Sequence, residues 1–274
     1  MGSLLHKILY EFYNRLTRKK IILAGCSEKD FQKAKKLLFN IARQNISQAN
    51  FKSFFSFYEQ EKILGINGSE QNSILYQFLI QERNSDAGFV PMFFETAFGM
   101  LEKGDESEKN SELKVKAGST TVRGKIDRID INEKDGVFNI IDYKLGGKKP
   151  KTEELLQGLS LQIPLYMFAA IELIKSQLNM DMKPQHGYIY SLKFSEKEFG
   201  KQIVSLLRTA NKKSDEELTN SNIEMIKICV DAIDKYSSLI SEGKFNLSTL
   251  EDRENKVCRY CNFRSICRIQ EVDR

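Results

Sequence analysis

Two aspartates and a lysine, spaced so that a hairpin would bring them together, are the residues of this chain best placed to do chemistry. Asp127 lies in the segment GKIDRID, and Asp142 and Lys144 lie in IIDYK, 15 residues further on. Between the two segments runs NEKDG, a glycine-containing turn of hairpin length. Side chains alternate faces along a strand. Phe138, Ile140, Asp142 and Lys144 therefore form one row, and Val137, Asn139, Ile141, Tyr143 and Leu145 the other. If the first row faces a core, it carries a carboxylate and an ammonium toward low dielectric, which is costly unless something compensates them. Neighbouring carboxylates raise a pKa or recruit a cation, and hard oxygen ligands with open positions suit Mg²⁺ or Mn²⁺. Lys144 would then hold a phosphate oxygen or position an attacking water. The set fits metal-assisted phosphodiester hydrolysis. The plainer reading stays open at this point: an exposed strand end for Asp142 and Lys144, and ordinary salt bridges for Arg128 and Asp130.

The elements that must position these residues are legible in outline. Leu4, Leu5, Ile8, Leu9, Phe12, Tyr13 and Leu16 have the spacing of an amphipathic helix over 4–16. Helical patterns follow over about 28–42, 51–64 and 71–83, separated by loops at 65–69 and 84–88. From Phe89 the pattern changes to short strands: FVPMFFETAFG, LKVKAG, STTVRGKIDRIDI and VFNIIDYKL. A lysine-rich loop (147–151) leads into a helix over 153–178, in which Pro164 implies a kink or a restart. HGYIYSLKF (186–194) reads as a further strand, with His186 as a turn residue before it, and 215–242 as a long helix closed by Gly243.

Length, composition and charge bound the function classes. The 274 residues suffice for a large core, and 41% hydrophobic with 29% charged content is ordinary for a globular protein. The net charge of +5 is compatible with a polyanionic partner without demonstrating one. No apolar run reaches the roughly 18 residues of a membrane span, and no G-x-x-x-x-G-K-[ST] motif provides a nucleotide-driven motor. Five cysteines, an odd number with three near the C-terminus, do not form a secreted disulfide framework. A cytoplasmic location is expected.

GKIDRID, IIDYKLG and LSLQIPLYMFA, taken together, resemble the RecB/AddB-type branch of the PD-(D/E)XK nuclease superfamily. The resemblance implies roles for Asp127, Asp142 and Lys144, and for Gln162 and Tyr166 as its Q-x3-Y pair. GSLLHKILYEF resembles the family's helix with a metal-ligating histidine, here His6, and FFETAFG the strand with a commonly acidic position, here Glu95. The motifs occur in order across residues 2–267. Independently, Gln162 and Tyr166 are i, i+4 and share a helix face. The Tyr143 backbone carbonyl, between the two catalytic side chains, can also face a metal. Lys148, Lys149 and Lys151 form either a phosphate-contacting loop or a solvated one.

Cys258-x2-Cys261-x5-Cys267 has the spacing of metal ligands. In the resembled family such a tail joins one distant upstream cysteine around a 4Fe–4S cluster, and four thiolates are the usual complement. That upstream cysteine precedes the histidine helix, whereas Cys26 here follows it, and Cys229 falls among core residues. Three readings follow: Cys26 substitutes, the fourth ligand lies in a missing N-terminal segment, or the thiols are free. The second is favoured, which makes the chain the C-terminal piece of a longer protein.

The resulting expectation is one α/β domain with a restriction-endonuclease-like mixed central sheet flanked by helices. Residues 1–88 would form a helical lobe, 89–195 the nuclease core, and 196–274 a C-terminal helix and cysteine tail. The implied function is Mg²⁺- or Mn²⁺-dependent DNA hydrolysis, exonucleolytic rather than endonucleolytic, in a helicase–nuclease system for double-strand break repair. The expected partners are DNA and a helicase region or partner subunit, with no membrane. The alternatives are a CRISPR-associated adaptation nuclease and a non-catalytic DNA-binding scaffold of the same fold.

Overall fold

The structure, a computed structural model, describes residues 1–48, 54–99, 113–146, 148–194, 197–207, 214–244, 253–264 and 266–267. The chain divides into two compact units, Met1–Ile233 and Asp234–Arg274. The first opens with helices α1 (Gly2–Arg18), α2 (Glu28–Gln48), α3 (Phe54–Leu64) and α4 (Ile74–Arg83). Strands β1 (Val90–Phe98), β2 (Val115–Ala117), β3 (Thr120–Val122), β4 (Gly124–Asn132) and β5 (Val137–Lys144) follow. Next come α5 (Thr152–Leu156), α6 (Gln162–Leu178), β6 (Lys183–Ser191), β7 (Gly200–Val204) and α7 (Asp215–Ser241). The second unit contains the end of α7 and the short α8 (Arg253–Lys256).

Five strands form a mixed sheet in the order β1-β4-β5-β6-β7; β5 and β6 are parallel across the α6 crossover and the other neighbours antiparallel. This is the expected α/β architecture. β2 and β3 make a separate two-stranded sheet. The stretch 119–131, expected as one strand, is therefore split at Arg123 between two sheets. β7 is an addition that its short, Gly- and Lys-containing sequence did not signal.

The central strand β5 is covered on both sides. Phe138 and Ile140 pack with Ile129, Ile131, Met167 and Leu173 on the α6 side. Ile141 and Tyr143 pack with Ile8, Phe12, Phe39 and Phe78 on the helical-lobe side. On α1, Leu5, Ile8, Leu9, Phe12, Tyr13 and Leu16 are all buried, as the 3–4 spacing demands. On the other face, α6 lies so close to β6 that a Cβ at Gly187 would come within 2.3 Å of Ile163 Cγ2; only glycine admits the helix at that depth. Pro164 sits in the first turn of α6, where its missing N–H breaks no intrahelical bond. The helical stretch restarts there, but the break itself falls earlier, around Gly158 at φ 65°. His186 is a strand residue paired with Asn139, not a turn residue.

Arg128 and Asp130 are not in ordinary salt bridges. Arg128 is 2% exposed, bidentate to Asp130 at 2.5 and 2.6 Å, and 2.7 Å from Glu82 Oε2 on α4. Its Nη1 also donates to the phenol oxygens of Tyr13 (2.5 Å) and Tyr143 (3.2 Å), while Tyr13 donates to Glu82 at 2.6 Å. Burial pushes the Glu82 carboxyl up, but the charges of Arg128 and Lys201 outweigh it and hold the pKa at about 2. A folded-state pKa below the usual carboxylate value stabilises the fold at pH above that value, and the contribution is lost as pH falls toward 2. Two outcomes are expected in urea melts. Arg128→Ala leaves two buried carboxylates without their cation and should cost about 3–5 kcal/mol. The wild type should lose stability between pH 4.5 and 2, and Glu82→Gln, already weakened at neutral pH, should lose less over that interval.

Candidate active site

The hairpin places the two aspartates as the sequence pattern requires. β4 and β5 pair with Arg128 opposite Ile141, and continuing that register by one residue sets Asp127 opposite Asp142. Asp127 Oδ2 accepts the backbone N–H of Tyr143 at 2.8 Å. His6, on the first turns of α1, reaches the same point from the helical lobe. Its Nε2 is 3.1 Å from the Tyr143 carbonyl oxygen, and its Nδ1 is 3.3 Å from Glu95 and 3.4 Å from Asp127. Bonds to Asp127 and then Glu95 outweigh burial and raise the His6 pKa to about 10.

Glu95 enters from β1 under backbone strain. Phe94 pairs with Arg128 and Thr96 with Ile126, while Glu95 between them is held at φ 49°. A left-handed non-glycine residue inside a strand costs of order 1–3 kcal/mol and persists only where its surroundings enforce it. Here it carries the carboxylate to His6 and to Lys125, 3.0 Å away. Burial raises the Glu95 pKa, but bonds to His6 and Lys125 outweigh it and lower the value overall.

Asp142 answers the question set by the β5 row. Phe138 and Ile140 are fully buried and Asp142 is 1% exposed, so the row does face a core. Gln162 Nε2, on the first turn of α6, donates to Asp142 Oδ1 at 2.9 Å and lies 3.1 Å from the Tyr166 hydroxyl. The Lys144 ammonium lies 2.9 Å from Asp142 Oδ2, yet that buried oxygen accepts no aligned hydrogen bond. Burial raises the Asp142 pKa, Lys144 opposes the rise, and the charge of Asp127 adds to it. Asp127, Asp142, Lys144, Gln162, Tyr166, His6 and the Tyr143 carbonyl thus all lie in one region of the first unit.

The donor set suits a hard divalent cation. Ligand atoms of His6, Glu95 and Asp127 lie within 4.8 Å of one another, a separation that ligands 2.0–2.6 Å from a shared ion can span. Two carboxylates with the Tyr143 carbonyl beside them are oxygen donors that suit Mg²⁺ or Mn²⁺, and the imidazole adds one nitrogen; Asp142 Oδ2 is held by the Lys144 ammonium. Asp142 itself stands outside the three-residue group, and Glu95 stands in it. The sequence singled out Glu95 only as an acidic position on a strand, because alternation cannot show that its backbone turns left-handed.

The cysteines behave differently. Cys229 is buried in α7, with its thiol 3.6 Å from the Leu161 carbonyl. Cys258, Cys261 and Cys267 are free, the last two exposed, and they are not gathered into a metal-ligating group among the described residues. Lys148, Lys149 and Lys151 are exposed. No described helix is long and apolar enough to cross a membrane.

Comparison with known proteins places this geometry in a family. A family model described as the PD-(D/E)XK nuclease superfamily matches residues 1–268. The chain is similar to a subunit of the ATP-dependent helicase/deoxyribonuclease of Bacillus cereus, 26% identical over 325 residues, covering 99% of this chain and 27% of that protein. The same-named subunits from Clostridium botulinum (25% over 281 residues; 95% and 24%) and Lachnoclostridium phytofermentans (28% over 196 residues; 53% and 17%) are also similar. The chain spans about a quarter or less of the length of these relatives. With a family match over nearly its whole length and a mixed sheet of restriction-endonuclease-like topology to carry it, the chain belongs to the PD-(D/E)XK nuclease superfamily.

Proposed function

We propose that this chain hydrolyses phosphodiester bonds in DNA with Mg²⁺ or Mn²⁺, as an exonuclease, within a helicase–nuclease system that processes double-strand breaks. The observation that carries the reading is the meeting of His6, Glu95 and Asp127 beside the Asp142–Lys144 pair. The similar proteins are named as subunits of an ATP-dependent helicase/deoxyribonuclease, which supports DNA as substrate and a helicase region or partner subunit as companion. All the proposed site residues fall within Met1–Ile233, which supports a single nuclease domain as the working part.

His6, Glu95 and Asp127 would hold the cation, with Asp142 and the Tyr143 carbonyl alongside. Bound there, the ion supplies charge to polarise the phosphate and a water of lowered pKa. The rest falls to the protein's own groups. The Tyr143 N–H fixes the Asp127 carboxylate, and Gln162 fixes that of Asp142, so neither has to be ordered when substrate arrives. Lys125 balances Glu95 on its outer side. Lys144, partly exposed and anchored to Asp142, presents a positive charge where charge develops on the phosphate oxygens or where the attacking water sits. Tyr166 supports Gln162 at the mouth of the site.

Two measurements test the reading. With end-labelled single- and double-stranded DNA, cleavage should require Mg²⁺ or Mn²⁺, stop with EDTA, and fall at least about 100-fold in Lys144→Ala; the product ladder reports whether digestion proceeds from an end. Wild-type protein that binds DNA yet cleaves neither substrate with either metal would sink the proposal. In calorimetric titration with Mn²⁺, Asp127→Asn should bind at least roughly 100-fold more weakly than wild type, and wild-type affinity in that variant would remove Asp127 from the ligand set.

A further inference from the structure

The cavity between α1 and edge strand β1 is much larger than a metal ion requires. Its volume is 640 Å³, whereas one water occupies about 30 Å³, so a hydrated ion fills only part of it. Cavities of roughly 300–1,000 Å³ accommodate organic ligands. Its walls carry three lysines, Lys7, Lys125 and Lys144, together with His6, Tyr10 and Glu95. Two of the lysines are committed: Lys125 to Glu95 at 3.0 Å and Lys144 to Asp142 at 2.9 Å. Lys7 is exposed, and no described carboxylate lies within ion-pair distance of it. Tyr10, half-buried and one turn further along α1, is its i+3 neighbour, and its hydroxyl bonds to no described residue.

An unpaired ammonium and an aromatic ring side by side, on the wall of a cavity that begins at the metal-ligating cluster, are the two groups a nucleotide unit needs: charge for its phosphate and a flat apolar face for its base. We propose that Lys7 and Tyr10 form a subsite for the nucleotide next to the one being cleaved, with Lys7 holding the neighbouring phosphate and Tyr10 stacking against the base. The subsite rests on the nuclease reading above. It holds substrate and takes no part in the chemical step, so its loss falls on KM.

Steady-state cleavage of a single-stranded oligonucleotide over a range of salt concentrations tests it. Lys7→Ala should raise KM about fivefold, leave kcat within about twofold, and reduce the slope of log KM against log salt by about 0.7. Tyr10→Ala should raise KM roughly tenfold, and Tyr10→Phe, which keeps the ring, should stay near wild type. Lys36→Ala, which removes an equal charge from exposed α2 outside the cavity, should leave KM unchanged. Mn²⁺ affinity and thermal midpoint in Lys7→Ala should match wild type, placing the effect on substrate. An unchanged KM in Lys7→Ala, or an equal shift in Lys36→Ala, overturns the subsite while wild-type cleavage leaves the nuclease reading intact. A wild type that cleaves nothing overturns both.

Discussion

The guanidinium of Arg128, sealed between the helical lobe and the sheet, constrains the rest of the first unit. A charge at that depth is tolerated only if its donors are all received, and the acceptors come from four separate elements: Asp130 on β4 itself, Tyr13 on α1, Glu82 on α4 and Tyr143 on β5. Satisfying one side chain therefore fixes the lobe against the sheet. Tyr143 matters most, because its ring ends in this network while its backbone faces the site, with the carbonyl toward His6 and the N–H toward Asp127. His6 and Asp127, two of the groups proposed to hold a cation, are thus placed relative to one another by a peptide unit whose own side chain is anchored in the buried ion network.

That arrangement explains what could be read from the sequence and what could not. The pairing of Asp127 with Asp142 needed only strand alternation and a hairpin-length turn, and the sharing of one site by Gln162 and Tyr166 needed only the helix period. Each depends on short-range geometry that residue spacing encodes. The burial of Arg128 depends on Glu82, 46 positions earlier, and on Tyr13, 115 positions earlier, so no local pattern announces it. The β4 row that holds them reads Gly124, Ile126, Arg128, Asp130 and Asn132, mostly polar, so alternation alone marks it as a solvent face. Glu95 was legible as an acid on a strand, while its left-handed backbone, which turns it into the cluster, was not.

The cysteine tail marks a different boundary. Spacing such as C-x2-C-x5-C shows that thiols can converge, and convergence itself is a matter of tertiary placement. Here the proposed site residues lie within Met1–Ile233 while the tail belongs to Asp234–Arg274. Family membership fixes the fold and the chemistry it permits; biological role is a separate matter, all the more for a chain that spans about a quarter or less of its longer relatives.

The double cover over β5 has a consequence for how this site comes and goes. Active-site residues on surface loops can open by local fraying while the remaining structure stays folded. Asp142 lies two residues before the end of β5, a strand bonded to neighbours on both edges and covered by side chains on both faces. A carboxylate carried on such a strand is tied to the cooperative opening of the sheet rather than to the fraying of a loop.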